Sequence, residues 1–311
     1  MAGPFHAGEL AAQAAAGVDA SGGAAGIRSF MPDQHREFFA LLPYFFMATV
    51  DEEGWPVATV LTGEPGFVQS PDPTSLTVAA LPREGEPGVG LFRAGRPFGA
   101  LGLDFATRRR NRANGVIAAA DGQGLVLKVL QSFGNCPQYI QTRAVRPAAA
   151  SSQPARPIAF PSSKALAQIA RSDTLFVASA AGGENGGVDM SHRGGLPGFV
   201  KVEGDVLTIP DFRGNRFFNT LGNLQTDPRA ALLFVDFETG DLLHLQGRGA
   251  VDWTPTGDPL IQRRWTFTVD RAWRRPAALP LRWAFGDYSP VTLMTKAWNS
   301  AGDEGVPDPQ A

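Results

Sequence analysis

The sequence predicts a mainly β protein of the α+β kind, two fused β-barrel halves with short peripheral helices. Three observations predict it. First, 36 glycines and 25 prolines are spread along 311 residues, which favours many short strands and turns over long helices. Second, tight-turn signals stand between β-branched runs, at DEEG (51–54), Asp121-Gly122 and Glu203-Gly204-Asp205. Third, part of the chain recurs. A shift of 132 residues lays GEPGFV (63–68) on GLPGFV (195–200), and Leu101, Asp104, Phe105 and Thr107 on Leu233, Asp236, Phe237 and Thr239. The same shift lays Thr59 on Ser191 and Gly115 on Gly247. Two separate blocks matching at one shift, on one strand–turn pattern, mark a duplicated barrel.

The elements follow in order. Residues 1–30 are an extension rich in Ala and Gly, with a short helix over 8–18 and a flexible linker at 19–26. The first barrel half spans 31–145. Pro32-Asp33 opens its helix, Phe38, Phe39, Leu41 and Leu42 give an apolar stripe, and Pro43 stops it. A hairpin around DEEG, the strands GFVQS, SLTVAAL and GALGLDF, and a hairpin around Asp121-Gly122 come next. Residues 146–163, rich in Pro, Ala and Ser, read as the linker between halves. The second half spans 164–300 and starts with a helix, SKALAQIARSD, capped by Ser162 or Ser163; 301–311 is a flexible tail.

Composition excludes several functions. Net charge is -2, so bulk electrostatics give no reason to propose nucleic acid as a partner. Cys136 is the only cysteine, which rules out an intramolecular disulfide and a cysteine-based zinc cluster. No run of about 18 apolar residues predicts a membrane span, and no secretory signal opens the chain. A cytoplasmic protein is expected. GxxxxGK[ST], GxGxxG after a strand, HExxH and GxSxG are all missing, so nucleotide hydrolysis, Rossmann-type binding, zinc proteolysis and α/β-hydrolase chemistry lose their signals. His6, His35, His192 and His244 are scattered, which suits surface or polar-core roles better than metal ligation.

What remains is one stretch of chemistry, 189–216. Asp189 and Ser191 alternate on an extended run and share a face. In PDFRGNR, Arg213 and Arg216 flank Gly214 and Asn215, a pair of guanidiniums with exposed backbone N–H groups that suits a small dianion. The first half has LPREGEPGVG at that place, so the anion turn occurs once. At the hairpin tip RRRNR, four arginines fall in five positions. Arg108, Arg110 and Arg112 share one face, where they repel unless solvated or meeting an anion. Cys136 reads as a small buried apolar residue. Trp253, Trp265, Trp273, Trp283 and Trp298 read as core packing or as an aromatic wall of a cofactor pocket.

Together these residues resemble a family. DMSHRGG (189–195), PGFV (197–200), LTIPDFRGNR (207–216), NLQTDPR (223–229) and LHLQGR (243–248) are similar to the FMN-binding split-barrel family typified by pyridoxamine 5′-phosphate oxidase. PFHAGE (4–9), MPDQHREFF (31–39), TRRRNRANG (107–115) and SFGNCPQYI (132–140) extend the likeness to its longer members. The resemblance implies two fused split barrels with FMN at their junction. It puts the flavin phosphate after the strand ending at Ile209, on Arg213, Asn215 and Arg216, and counts Ile209, Pro210 and Asp211 to the cofactor site as well. It lays Asp189, Met190, Ser191 and Arg193 along the flavin ring, and lets Arg110, Arg112 and Gln131, Ser132 and Asn135 complete the pocket from the first half. The implied function is an oxidoreductase passing electrons through FMN to a small-molecule substrate or acceptor. NAD(P)H or a separate reductase would be the electron donor. A non-catalytic flavin-, haem- or nucleotide-binding protein, or a deazaflavin-dependent reductase, is the alternative. The family's Arg-x-His element is not visible near Trp283, so pyridoxamine phosphate oxidation itself is not expected. A homodimer stays open, and no residue stands out as a catalytic acid or base.

Overall fold

The duplication read from the sequence is present as topology. The computed structural model describes residues 3–19, 24–134, 136–151, 153–214, 216–295 and 298. In the first half the strands are β1 (Tyr44–Val50), β2 (Pro56–Thr62), β3 (Val68–Gln69), β4 (Ser75–Val78), β5 (Pro97–Asp104), β6 (Arg109–Ala120) and β7 (Leu125–Gly134). They form one antiparallel sheet in the order β2-β1-β5-β6-β7-β4-β3. After β8 (Arg143–Pro147) and β9 (Arg156–Pro157), the second half supplies β10 (Thr174–Ala181), β11 (Gly187–Gly194), β12 (Lys201–Glu203) and β13 (Val206–Phe212). Then come β14 (Arg229–Val235), β15 (Leu242–Asp252) and β16 (Ile261–Arg275). Their order, β11-β10-β14-β15-β16-β13-β12, repeats the first sheet strand for strand.

The correspondence extends to defects in the ladders. Register slips between Asn114 and Gly115 on β6, and between Gln246 and Gly247 on β15. Glycine is needed at both bulges: a Cβ would lie 2.0 Å from the carbonyl oxygen of Lys128 at Gly115 and 2.0 Å from that of Thr268 at Gly247. Each sheet curls around its own core. Phe45, Leu76, Phe98 and Ile117 are buried in the first, and Val177, Ile209, Phe234 and Trp265 in the second. A third core lies between the halves, where Phe46, Leu101 and Leu103 meet Phe176, Met190 and Leu233.

The helices are α1 (Ala7–Ala15), α2 (Asp33–Ala40), α3 (Ser163–Arg171), α4 (Asn219–Thr226) and α5 (Pro290–Leu293). His6 caps α1: its Nδ1 accepts the Gly8 N–H at 3.1 Å while Glu9 reaches back to the His6 N–H at 3.0 Å. Ser162 is the N-cap of α3, but its side chain makes no capping hydrogen bond. The linker is not wholly irregular, since β8 pairs with β17 (Leu281–Phe285) and β9 with β16. No helix among the described residues is long and apolar enough to cross a membrane. The expected tail at 301–311 lies outside the described residues.

Candidate functional site

Edge strand β11 runs against the first sheet, and the two faces of this edge build two different environments. Alternation sends Val188, Met190 and His192 toward the first half, and Asp189 and Ser191 toward α4. On β6, alternation turns Arg110, Arg112 and Asn114 toward β11. Gly99 on β5 lets the halves close: a Cβ there would lie 2.4 Å from the Val188 carbonyl oxygen.

Arg112 passes the edge of β11 and enters the far face. It donates to Ser191 Oγ at 2.7 Å and Asp189 Oδ1 at 3.3 Å. Asp189 also accepts from Asn114 at 2.8 Å and Asn223 at 2.9 Å. The sequence expectation that Asp189 and Ser191 share a face holds, and both bond protein side chains there.

Arg110 is placed differently. It donates to His192 Nδ1 at 3.2 Å, no ion pair reaches it among the described residues, and its Nε is buried without a partner. Burial, then the neighbouring Arg112 and Arg193, pull its guanidinium down to about 9. With Nδ1 accepting from Arg110, the His192 proton sits on Nε2, which also has no partner. Burial and the surrounding arginines hold His192 well below the usual imidazole range, so the ring is neutral. Arg193 pairs with Asp211 at 2.5 Å, and Asp211 takes Arg263 at 3.0 Å as well.

These groups line a cleft between the halves together with Cys136, Gln138, Tyr139, Pro210, Phe212 and Gly214. Tyr139 stacks on Phe212 with ring centroids 5.1 Å apart, and its hydroxyl donates to the Arg213 carbonyl at 2.8 Å. The cavity left inside is about 40 Å3, enough for a few waters. Cys136 is exposed at the cleft, contrary to the buried apolar role expected for it.

The other residues singled out from the sequence are placed as follows. Met190 is 0% exposed in the core between the halves, and Ile209 is 0% exposed in the second barrel, so neither side chain presents a face to a ligand. Ser132 is buried against α2, its hydroxyl 2.9 Å from His35 Nδ1. Gln131 faces a second cavity beneath α1 and donates to the Pro4 carbonyl at 3.0 Å. Arg213 and Arg216 are exposed. Asn135 and Asn215 lie outside the described residues. Trp283 is packed between Tyr44 and Phe237 in the shared core and forms no wall of the cleft. Arg108 and Arg109 are anchored elsewhere: Arg108 donates to the Ile140 carbonyl at 2.8 Å, and Arg109 lies over Phe38. His192, Tyr139 and Phe212 were not singled out from sequence. The available signal was alternation, which puts His192 one residue out of phase with Ser191 and so toward the other half.

No family model and no curated protein matches the chain. Solved structures do match. A protein related to general stress protein 26, of the pyridoxinephosphate oxidase family, from Clostridium acetobutylicum is 16% identical over 40% of this chain and 92% of its own, at a TM-score of 0.28. An FAD-binding protein from Mesorhizobium loti is 11% identical over 40% of this chain and 99% of its own, at 0.28. A putative 5-nitroimidazole antibiotic resistance protein from Bacteroides thetaiotaomicron is 12% identical over 42% and 93%, at 0.26. At such TM-scores the likenesses carry no argument about the site, and the fold stands on the topology above. In that fold, over part of its length, the chain is similar to the split-barrel proteins of the pyridoxine-phosphate oxidase family.

Proposed function

We propose that the protein binds FMN in the cleft between its halves and works as an oxidoreductase. The observation that carries this is Arg110, a half-buried guanidinium whose Nε is buried without a partner and which has no acidic partner among the described residues, beside Arg112, Arg193 and the unpaired Nε2–H of His192. A phosphate dianion supplies the missing charge and acceptors. Arg110, Arg193 and the turn of Arg213, Gly214 and Arg216 would hold it, with Tyr139, Phe199 and Phe212 as the apolar walls for a ring. The cavity of about 40 Å3 cannot take that ring while Tyr139 lies on Phe212, so binding requires the stack to part. Tyr139 sits at φ 62, a left-handed backbone conformation that its surroundings hold at a cost.

When bound, the flavin supplies hydride acceptance and onward electron transfer. The chain's own residues bind and orient it and exclude water. Neutral His192 offers a donor in the cleft. NADH, NADPH or a separate reductase would deliver electrons, and oxygen or a small organic molecule would take them. A cytoplasmic setting goes with that supply, and association into a homodimer is compatible with it.

Fluorescence titration with FMN tests the reading on the wild type and on Arg110→Met. Loss of a charge-assisted contact is expected to weaken binding by about 1.5–3 kcal/mol, roughly 10- to 150-fold. Unchanged affinity would move the phosphate away from Arg110. Reduction by NADH or NADPH under argon then tests turnover: a flavin that neither donor nor an added reductase bleaches would leave a binder.

A further inference from the structure

The cavity beneath α1 is the negative counterpart of the cleft. It measures about 290 Å3 and is lined by His6, Glu9, Asn114, Gln131, Asn185 and Asp189, among others. Glu9, His6, Asp189 and Asn114 are only 3%, 5%, 6% and 7% exposed, so their charges are weakly screened. The groups facing Glu9 are His6 on its own helix, Asp189 on β11, Arg112 on β6 and Asn219 on α4. Two carboxyls therefore share one guanidinium. Burial, then Asp189, push the Glu9 carboxyl up to about 8, so near pH 7 a proton there balances the charge. Hydrogen bonding is also incomplete. His6 Nδ1 accepts from Gly8, which puts the ring proton on Nε2, and Nε2 has no hydrogen-bond partner. Asn114 donates to Asp189 while its Oδ1 has none. A buried donor, a buried acceptor and a surplus of negative charge thus converge on one space.

We propose that this cavity is a ligand site in its own right, taking a small molecule with an ammonium group seated among Glu9, Asp189 and the amide oxygen of Asn114. The ammonium brings donors for the carboxylates and for Asn114 Oδ1, and it replaces the Glu9 proton as the neutralising charge. The Nε2–H of His6 is left for a hydroxyl or carbonyl on the same molecule. The Arg112–Asp189 pair separates this site from the cleft, so the assignment does not depend on what the cleft binds.

The test is calorimetric titration of the full chain with n-butylamine and 1,4-diaminobutane, against n-butanol and butyrate, in buffers of different ionisation enthalpy. The amines are expected to bind and the other two probes not. Each amine bound at pH 7 should release about one proton, falling toward zero at pH 9.5, where Glu9 is already ionised. Glu9→Gln is expected to weaken amine binding at least tenfold and to abolish the release. Asn114→Leu is expected to weaken it with the release kept. Should Glu9→Gln fail to fold, the wild-type proton count at the two pH values still decides. Absence of amine binding at millimolar concentration, equal binding of n-butanol, or binding without proton release would each overturn the proposal.

Discussion

A guanidinium buried without a carboxylate costs stability unless another group neutralises it. Arg110 is half-buried with no carboxylate beside it among the described residues, and its cost and its use should separate by experiment. Arg110→Met is expected to leave the ligand-free protein as stable as the wild type or more so by urea denaturation, while weakening FMN. A loss of more than about 2 kcal/mol of folding stability would mark Arg110 as structural. Arg216→Ala, removing an exposed side chain, is expected to weaken FMN by under about 1.5 kcal/mol, since solvent screens that contact. At this scale the sequence was half legible. Four arginines in five positions are visible in the chain, but whether each meets solvent, a carbonyl or a cleft depends on what the hairpin packs against. Arg108 found the Ile140 carbonyl, Arg109 the Phe38 ring, and Arg110 the cleft.

Among the elements, α2 and β5 carry the clearest expectations. His35 on α2 faces Ser132 on β7, and burial, then Arg109 and Arg28, hold its imidazole down at about 4. The unfolded chain takes up that proton near the ordinary value of 6.5. Stability from the neutral ring is therefore complete above about pH 6.5 and lost as pH falls toward 4, by up to about 1.4 kcal/mol per pH unit. Urea midpoints from pH 7 to 4 should show the fall, and His35→Gln should flatten it by that amount. On β5, Gly99→Ala would press a methyl into the Val188 carbonyl and is expected to cost about 1–3 kcal/mol. Strands and hairpins were legible because period-2 patterns and Gly turns are local. The cap of α3 was less so: Ser162 holds the position, yet nothing in sequence says where its hydroxyl points. The helix α4, which covers Asp189 and Ser191, was not anticipated, because NTLGNLQT offers only Leu221 and Leu224 to the second core and is otherwise held by polar contacts to β10 and β11.

The whole chain packs as a pseudo-dimer of its own halves. Phe46 pairs with Val60 and Leu101, while Phe176 pairs with His192 and Leu233, their counterparts 132 residues on. These equivalent phenylalanines stack on each other, 3.7 Å between centroids, at the middle of the shared core. Phe46→Ala is expected to cost about 3–5 kcal/mol. Because both halves bury that core, unfolding followed by fluorescence and circular dichroism should remain one transition; two would mean independent halves. The repeat was legible from GEPGFV and GLPGFV, and the single anion turn marked its halves as unequal, but which side chains fill the second cleft was not legible. The counterparts of Arg112 and Asn114 are His244 and Gln246, which bond the Ala58 and Pro56 carbonyls. Thr59, the counterpart of Ser191, donates to Glu86, which pairs with Arg275. That second cleft is thus filled by side chains bonded within the protein, with His244 Nε2 alone of these left without a partner, whereas the Arg110 cleft keeps a guanidinium with no carboxylate beside it.

Flavin-to-protein stoichiometry, read from the absorption spectrum of the purified chain saturated with FMN and freed of excess, tests this most directly. One flavin per chain is the result the two unequal clefts predict. Two per chain would contradict the closed cleft, and a colourless protein that takes up no FMN would contradict the flavin site altogether.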